Sequence, residues 1–113
     1  MKFFLFYENK LFMSYLKELI TSNRDECVEL NDEANFYSLY RDYKPDWILI
    51  DIPLKNNNGF KLAEILKRDF PEVNIALLSD FNDERLRIKS EEIGAVFIPK
   101  EKTFEFYQLI NSK

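Results

Sequence analysis

Histidine is absent from the 113 residues, and cysteine occurs once, as Cys27. The first absence excludes histidine-based metal sites, histidine general bases and any role as a phosphohistidine donor. The second excludes an internal disulfide. Only two glycines and four prolines occur, which leaves little room for long loops. We therefore expect regular elements joined by short connections.

Basic charge and long apolar runs are also scarce. Sixteen Lys and Arg stand against twenty Asp and Glu, giving a formal net charge of −4. This balance argues against nucleic acid or an anionic membrane as a direct partner, because both need a cationic surface. No run approaches the roughly 18 apolar residues of a membrane span, and the apolar start at 1–6 is too short for a signal peptide. We expect a cytoplasmic protein.

The chain nevertheless has enough apolar material for one core. Hydrophobic residues make up 46% of it, including eleven Phe, six Tyr and one Trp, which rules out a disordered chain. A length of 113 residues fits one core covered on two sides. The prediction is a single domain over residues 1–113.

An apolar run, residues 47–50, follows Pro45-Asp46 and stops on Asp51. A run without polar alternation is typical of a strand buried on both faces of a parallel sheet. An acid at its carboxyl end faces the crevice where open α/β sheets bind ligands, so Asp51 is the first candidate functional residue. For Asp51 taken alone, an acid that merely hydrogen-bonds the following turn remains an alternative.

Continuous apolar runs alternate along the chain with segments in which apolar residues recur at helical spacing. Apolar runs predict strands at 2–6, 26–30, 47–51, 73–78 and 95–98, the second of them at a sheet edge. Helical spacing predicts helices at about 10–21, 33–42, 60–69 and 82–92, and a last one after residue 103. Asn9 and Thr103 are the expected caps of the first and last helices. The apolar faces are expected to include Leu11 and Tyr15, Ala34 and Tyr37, and Phe104 and Tyr107.

Five strands alternating with five helices predict a three-layer (βα)5 fold of the α/β class with a parallel sheet. The expected strand order is 2-1-3-4-5, which places the topological switch between strands 1 and 3. Glu8 and Asp51 then share one crevice, and strands 4 and 5 bring Ser79 and Lys100 to its other side. Random placement would rarely bring polar residues from four strand ends together.

With these residues the chain resembles the receiver domain of response regulators over essentially its whole length. It is most similar to receivers that precede DNA-binding domains of the LuxR type. The family's Pro-Asp, apolar run, acceptor Asp and Gly eight residues later are matched by Pro45-Asp46, 47–50, Asp51 and Gly59. The resemblance implies a flavodoxin-like or CheY-like sandwich.

Three further positions carry the resemblance. The family's Ser or Thr after strand 4 matches Ser79, its Lys after strand 5 matches Lys100, and its conformationally responsive aromatic three residues earlier matches Phe97. The resemblance implies that Lys100 pairs with a phosphoryl oxygen, that Ser79 donates to another, and that Phe97 turns inward in response.

The function implied is a step of a two-component phosphorelay. Asp51 would accept a phosphoryl group from a histidine kinase or phosphotransfer protein, which makes the chain a signalling domain rather than an enzyme. A carboxylate approaching a phosphoryl group brings two anions together, so the reaction needs a cation. The resemblance implies Mg²⁺ held by Glu8, Asp51 and the backbone carbonyl of Pro53.

Three features depart from the family's pattern. Tyr7-Glu8 stands where the family has two adjacent acids, so one carboxylate is missing and Mg²⁺ binding is expected to be weak. Lys55 stands where the family usually has proline. The segment 94–100 is one residue shorter than usual.

Two alternatives to the phosphorelay remain open. An atypical receiver-like interaction module that works without phosphorylation is favoured by Tyr7. A flavin-binding or enzymatic α/β domain is disfavoured, because no Gly-rich or Ser/Thr-rich phosphate loop follows strand 1.

The last helix carries a second apolar stripe, formed by Phe106, Leu109 and Ile110. One helix of a small domain rarely needs two such stripes, and an exposed one usually marks a contact. In the family the face of helix 4, strand 5 and helix 5 dimerises or binds the output partner, so the resemblance implies either a homodimer or an output partner at this face. The alternative is that these residues pack under loops or against a linker.

Overall fold

The computed structural model describes residues 1–30, 36–53 and 59–111. Within these ranges five parallel strands form one sheet in the order β2-β1-β3-β4-β5, and the predicted class, alternation and strand order are confirmed. The strands are β1 (Lys2–Phe6), β2 (Glu26–Leu30), β3 (Trp47–Asp51), β4 (Ile75–Ser79) and β5 (Val96–Pro99). The helices are α1 (Lys10–Ser22), α2 (Phe36–Tyr43), α3 (Gly59–Asp69), α4 (Glu84–Ile93) and α5 (Thr103–Asn111), with a 3₁₀ turn (Lys100–Lys102) directly before α5.

The centre of the sheet is apolar on both faces. In β1, Phe3 and Leu5 point to one face and Phe4 and Phe6 to the other, because successive side chains of a strand alternate. All four are at most 2% exposed. The Phe4 face packs against α2 and α3, and the Phe3 face against α1 and α5. The result is the predicted three-layer arrangement.

Capping residues in the sequence account for the start of α1 and the end of α4, but not for the start of α5. The side chain of Asn9 caps α1, accepting from two backbone N–H groups of the first turn at 2.9 and 3.1 Å. Gly94 ends α4 in the left-handed conformation, with φ of 93°. Thr103 does not cap α5, since its hydroxyl donates to the Lys100 carbonyl at 2.8 Å and the helix continues from the 3₁₀ turn.

The buried face of α1 differs from the prediction. Met13, Leu16 and Ile20 are buried, whereas Leu11 is 84% exposed and Tyr15 is also exposed. Positions 13, 16 and 20 form one line along a helix, and turning that line to the sheet directs position 11 to solvent. The apolar stripe of α1 is therefore broader than the face of the helix that packs against the sheet.

The buried face of α2 is also shifted. Phe36 is the buried residue, while Tyr37 is half exposed and its hydroxyl donates to Asp69 at 2.6 Å. Tyr40 is half-buried and stacks on Phe70 with ring centroids 4.2 Å apart. The hydroxyl of Tyr37 explains its outward position, because a phenol needs a polar partner. The predicted inward Ala34 lies outside the described residues.

The last helix faces the sheet through Tyr107, as predicted. The prediction that Phe104 also faces the sheet is wrong. Tyr107 is buried and its hydroxyl donates to Asp25, whereas Phe104 is exposed. Asp25 also accepts from the Met1 ammonium at 2.6 Å. Burial alone would raise the pKa of Asp25, but these two hydrogen bonds outweigh it and hold the pKa below the usual 3.8. The contact to Asp25 orients α5 and leaves Phe104 outside.

Candidate functional site

Asp51 is the buried carboxylate at the carboxyl end of β3, with only 1% exposure. One of its oxygens, Oδ2, accepts from the backbone N–H of Glu8 at 3.0 Å. The other, Oδ1, lies 3.3 Å from the Lys100 ammonium in an ion pair that lacks the alignment of a hydrogen bond. Residues that follow β1 and β5 thus meet at the end of β3, as the strand order predicts.

Lys100 is held from three sides. Its Nζ lies 3.3 Å from Asp51, 3.0 Å from Oδ1 of Asp80, and 4.9 Å from the centre of the Phe12 ring. The side chain is 12% exposed, so the ammonium is largely withdrawn from water. The segment before Lys100, although one residue shorter than the family's pattern, brings the cation into contact with the carboxylate.

Ser79 ends β4 and is buried. Its hydroxyl donates to the Phe81 carbonyl at 2.8 Å and accepts from the Phe81 N–H at 3.0 Å. Both contacts close a tight turn after the strand. The strand register places Leu78 beside Asp51, so Ser79 lies one residue further along. In this structure the hydroxyl is used by the turn.

Gly59 opens α3 against the end of β3. A Cβ at this position would lie 2.4 Å from the carbonyl oxygen of Asp51 and 2.7 Å from Cα of Ile52. The clashing atoms are backbone atoms, which cannot swing aside. The glycine eight residues after Asp51 is therefore required by the close approach of this helix to the strand that carries the carboxylate.

The oxygen donors for a cation are fewer than in a pocket with paired acids. Asp51 is buried, Glu8 is exposed beside it, and Pro53 is half-buried two residues beyond the strand. Tyr7 packs against the core on the α1 face instead of supplying a carboxylate. Among the described residues no group of three His, Cys, Asp or Glu side chains could hold a metal ion.

Phe97 lies in β5 and is buried, 6% exposed. The Arg87 guanidinium of α4 covers its ring, 5.0 Å from the ring centre, and is itself fixed by Asn82 at 3.0 Å and Glu84 at 3.4 Å. The ring that the resemblance implies to be mobile is therefore inward here, under an arginine.

The predicted interface residues of α5 are not equally exposed. Leu109 is 69% exposed, whereas Phe106 and Ile110 are half-buried against the core. Phe106 and Leu109, with Val96 of the edge strand β5, line two adjoining grooves of about 360 and 660 Å³. The apolar face exists, but only part of it is available to a partner.

Two contacts of this site were missed from the sequence. Asp80 lies 3.0 Å from Lys100, and the Phe12 ring covers the same ammonium. The signal for Asp80 was its position directly after Ser79, at the end of the strand next to β5. Nothing in the helical pattern of α1 distinguishes Phe12 from its apolar neighbours.

A buried acid lies beside a lysine at the carboxyl end of the central strand of a doubly wound sheet. This arrangement is the one expected of a receiver domain. The chain matches the family model of the response regulator receiver domain over residues 4–111, and it belongs to that family. This confirms the resemblance drawn from the sequence. Among the described residues no helix is long and apolar enough to cross a membrane.

Individual relatives agree with this assignment. The phosphate regulon transcriptional regulatory protein PhoB of Pseudomonas aeruginosa is 35% identical over 72 residues, 62% of this chain and 31% of that protein. A LuxR-family two-component response regulator from Aurantimonas sp. SI85-9A1 superposes with a TM-score of 0.81 at 21% identity, covering 98% of this chain and 82% of that one. A Burkholderia pseudomallei response regulator, crystallised with a phosphorylated aspartic acid, calcium ion and citrate, gives 0.74 at 19% identity, covering 88% and 59%. The chain thus spans about a third of the length of its curated relative.

Proposed function

We propose that Asp51 accepts a phosphoryl group from a histidine kinase or phosphotransfer protein in a two-component phosphorelay. The observation that carries the proposal is the environment of Asp51, a buried carboxylate with the Lys100 ammonium 3.3 Å from one oxygen and a backbone N–H 3.0 Å from the other. A lysine beside a buried carboxylate offsets the charge that a transferred phosphoryl group adds. The Burkholderia pseudomallei relative, with its phosphorylated aspartic acid, supports the same chemistry here.

In the proposed reaction an Asp51 oxygen forms the new bond to phosphorus as the bond from phosphorus to the donor breaks. The N–H of Glu8 holds Oδ2 and so fixes the plane of the carboxylate. Lys100 then pairs with an oxygen of the transferred group. The Ser79 hydroxyl would leave its turn contacts with Phe81 to donate to another oxygen.

Magnesium fits this pocket with a reduced set of protein ligands. Mg²⁺ is usually bound through one or two carboxylates, with water and phosphate oxygens at its other positions. Asp51, Glu8 and the carbonyl of Pro53 would hold it, and when bound it supplies positive charge for the phosphoryl oxygens. Since Tyr7 provides no carboxylate, we expect weak binding in the absence of a phosphoryl group.

We propose the face of α4, β5 and α5 as the surface that passes the signal on, with a second copy of the chain or an output partner as its occupant. The exposed apolar residues Leu109 and Val96 favour this role. Phe106 and Ile110, which are half-buried against the core, line the same groove. Phe97 lies under the same face, behind Arg87. Phosphorylation would change the face by moving Ser79 and the ring of Phe97, with a coupling of about 1 to 3 kcal/mol.

The second candidate is a receiver-like interaction module that works without phosphate. Two observations favour it: Tyr7 replaces an acid, and Phe97 is already inward while Ser79 is held by Phe81. In this case the face of α4, β5 and α5 would be able to bind its partner at all times, without phosphorylation. Location in the cytoplasm and a single domain over residues 1–113 remain predictions under either candidate.

Labelling with acetyl phosphate and Mg²⁺ tests the proposal. Intact-mass spectrometry of the wild type should show a gain of one phosphoryl group that is lost in hydroxylamine, and Asp51→Asn should show none. The matched control is Asp46→Asn, since Asp46 directly precedes the same strand, at the end opposite to Asp51. An unlabelled wild type that still binds its partner would favour the phosphate-independent module, and labelling of Asp51→Asn would remove Asp51 as the acceptor.

A further inference from the structure

The Lys100 ammonium is shared between two carboxylates of unequal environment. Asp51 is 1% exposed and lies 3.3 Å away, whereas Asp80 is 52% exposed and lies nearer, at 3.0 Å. The Phe12 ring closes a third side of the ammonium at 4.9 Å. The lysine that contacts the proposed acceptor therefore lies closer to a different acid.

Asp80 is placed there by the end of β4. It follows Ser79, whose hydroxyl closes a turn onto Phe81, so the chain reverses direction around Asp80. Ser79 pairs with Pro99 in the sheet, which sets the residues after these two strands side by side. The contact between Asp80 and Lys100 thus follows from strand register.

The two carboxylates are near neighbours, because both contacts share one nitrogen. A phosphoryl group on Asp51 would replace the single negative charge of the carboxylate by about −1.5 to −2 charges at neutral pH, close to Asp80. The Lys100 ammonium carries three donors but a single charge, so it cannot compensate both anions fully. Pairing with the phosphoryl group means weakening the contact with Asp80.

We propose that Asp80 is a positioning residue that competes with the phosphoryl group for Lys100 and so limits the extent to which Asp51 is phosphorylated. This inference rests on the proposed phosphorylation of Asp51. In the unphosphorylated state Asp80 holds Lys100 beside the pocket. In the phosphorylated state its carboxylate, which is half exposed, turns to water and leaves the ammonium to the phosphoryl oxygen.

The opposite interpretation is that Asp80 forms an ordinary surface ion pair with no effect on the pocket. Exposed pairs typically contribute little to stability. This pair differs from an ordinary exposed one, because Lys100 is only 12% exposed and contacts Asp51 with the same nitrogen. The charge of Asp80 therefore acts on the proposed phosphoryl site even if the ion pair adds nothing to the stability of the fold. The test must therefore measure phosphorylation and its salt dependence, not stability.

Asp80→Asn is the informative variant, because it removes the charge and keeps an oxygen that can accept from Lys100. Its rate and final level of labelling by acetyl phosphate with Mg²⁺ should rise about threefold to tenfold over the wild type at 0.1 M salt. The ratio should fall below about twofold at 1 M salt, where the screening length shrinks from about 10 to about 3 Å. Asp80→Ala should behave like Asp80→Asn if charge is the cause.

Asp42→Asn is the matched control, the same chemical change on α2 at a side chain that is 80% exposed. It should label like the wild type at both salt concentrations, and thermal unfolding should show that all variants are folded. Equal labelling of wild type and Asp80→Asn would overturn the inference while the proposed function stands. Slower labelling of Asp80→Asn, or a gain unaffected by salt, would overturn it as well. If neither protein is labelled, the proposed function and this inference fall together.

Discussion

The ring of Trp47 meets the ring of Phe106 edge to face, with centroids 5.1 Å apart and planes at 87°. Trp47 begins β3, four residues before Asp51, so it lies about 13 Å from the proposed phosphorylation site at the opposite end of the strand. The single tryptophan therefore monitors α5 and the proposed output face. Its fluorescence should respond to events on that face, and metal binding at Asp51 needs a different measurement.

Leu109→Glu should separate association from folding better than a change at Phe106. Leu109 is 69% exposed, so the substitution should alter the free energy of unfolding by less than about 0.5 kcal/mol while it abolishes self-association or partner binding. Phe106→Ala removes a half-buried ring from Trp47 and should cost about 1 to 3 kcal/mol. Sedimentation velocity with and without beryllofluoride, together with urea unfolding, measures both. Unchanged association of Leu109→Glu would contradict the proposed face.

Gly59→Ala should be among the most destabilising single changes in the chain. The added Cβ would meet backbone atoms of Asp51 and Ile52, so α3 must move away from β3, at a cost of about 3 kcal/mol or more. Gly94→Ala is the matched control. A Cβ there meets only the flexible Lys67 side chain at 3.6 Å, which leaves the cost of a positive φ, about 1 to 2 kcal/mol. Equal losses in urea unfolding would show that α3 can shift freely.

Tyr7→Asp should strengthen Mg²⁺ binding. The substitution restores a carboxylate at the end of β1, next to Glu8, and a further charged ligand or support typically changes metal affinity by about tenfold or more. Isothermal titration with MgCl₂ compares the variant with the wild type. Tyr15→Asp, on the exposed face of α1, controls for the added charge. Equal affinity of Tyr7→Asp and wild type would count against a cation site formed by Asp51 and Glu8.

Asp25 should make the stability of the fold depend on acid pH. Its pKa in the folded state lies below the ordinary 3.8, because the hydrogen bonds from the Met1 ammonium and the Tyr107 hydroxyl outweigh the effect of burial. The contribution is therefore present above about pH 4 and is lost as the pH falls through the lower folded-state pKa. Asp25→Asn should be less stable than the wild type at pH 7, and this difference should be smaller at about pH 3. Urea unfolding at both values checks this, and Asp42→Asn, whose carboxylate is exposed, should show no such convergence.

The sheet and the strand that carries Asp51 are predictable from the sequence because their signals are local and redundant. Five apolar runs predict the strands. Asp51 ends the third run and Lys100 follows the fifth, so the strand order predicts that these two residues meet at the same crevice. The helix faces were less predictable. Leu11, Tyr37 and Phe104 are apolar or aromatic residues that stand beside others of the same kind, and the choice of the buried one depends on partners elsewhere in the chain. For α5 that partner is Asp25, 82 positions from Tyr107.

The sequence signals the contact of Asp80 with Lys100 only in part. The strand order predicts that the residues after β4 and β5 lie side by side. Which of them meet depends on the pairing of Ser79 with Pro99 and on the turn made by Ser79, and a pattern of apolar residues specifies neither. The family's pattern includes Ser79 and Lys100, whereas Asp80 is recognised only from its distance to the Lys100 ammonium.

The 3₁₀ turn that begins at Lys100 runs into α5 without a linker, and the Thr103 hydroxyl locks the two together through the Lys100 carbonyl. The backbone of Lys100 and the axis of α5 therefore form one continuous element, with about 12 Å between Lys100 and Tyr107, where the helix is tethered to Asp25. A displacement of about 1 Å of the Lys100 backbone would tilt this element about Tyr107 by roughly 5°. Such a displacement, if caused by a change of charge at Asp51, would reach Leu109 as a rotation, without any rearrangement inside the helix.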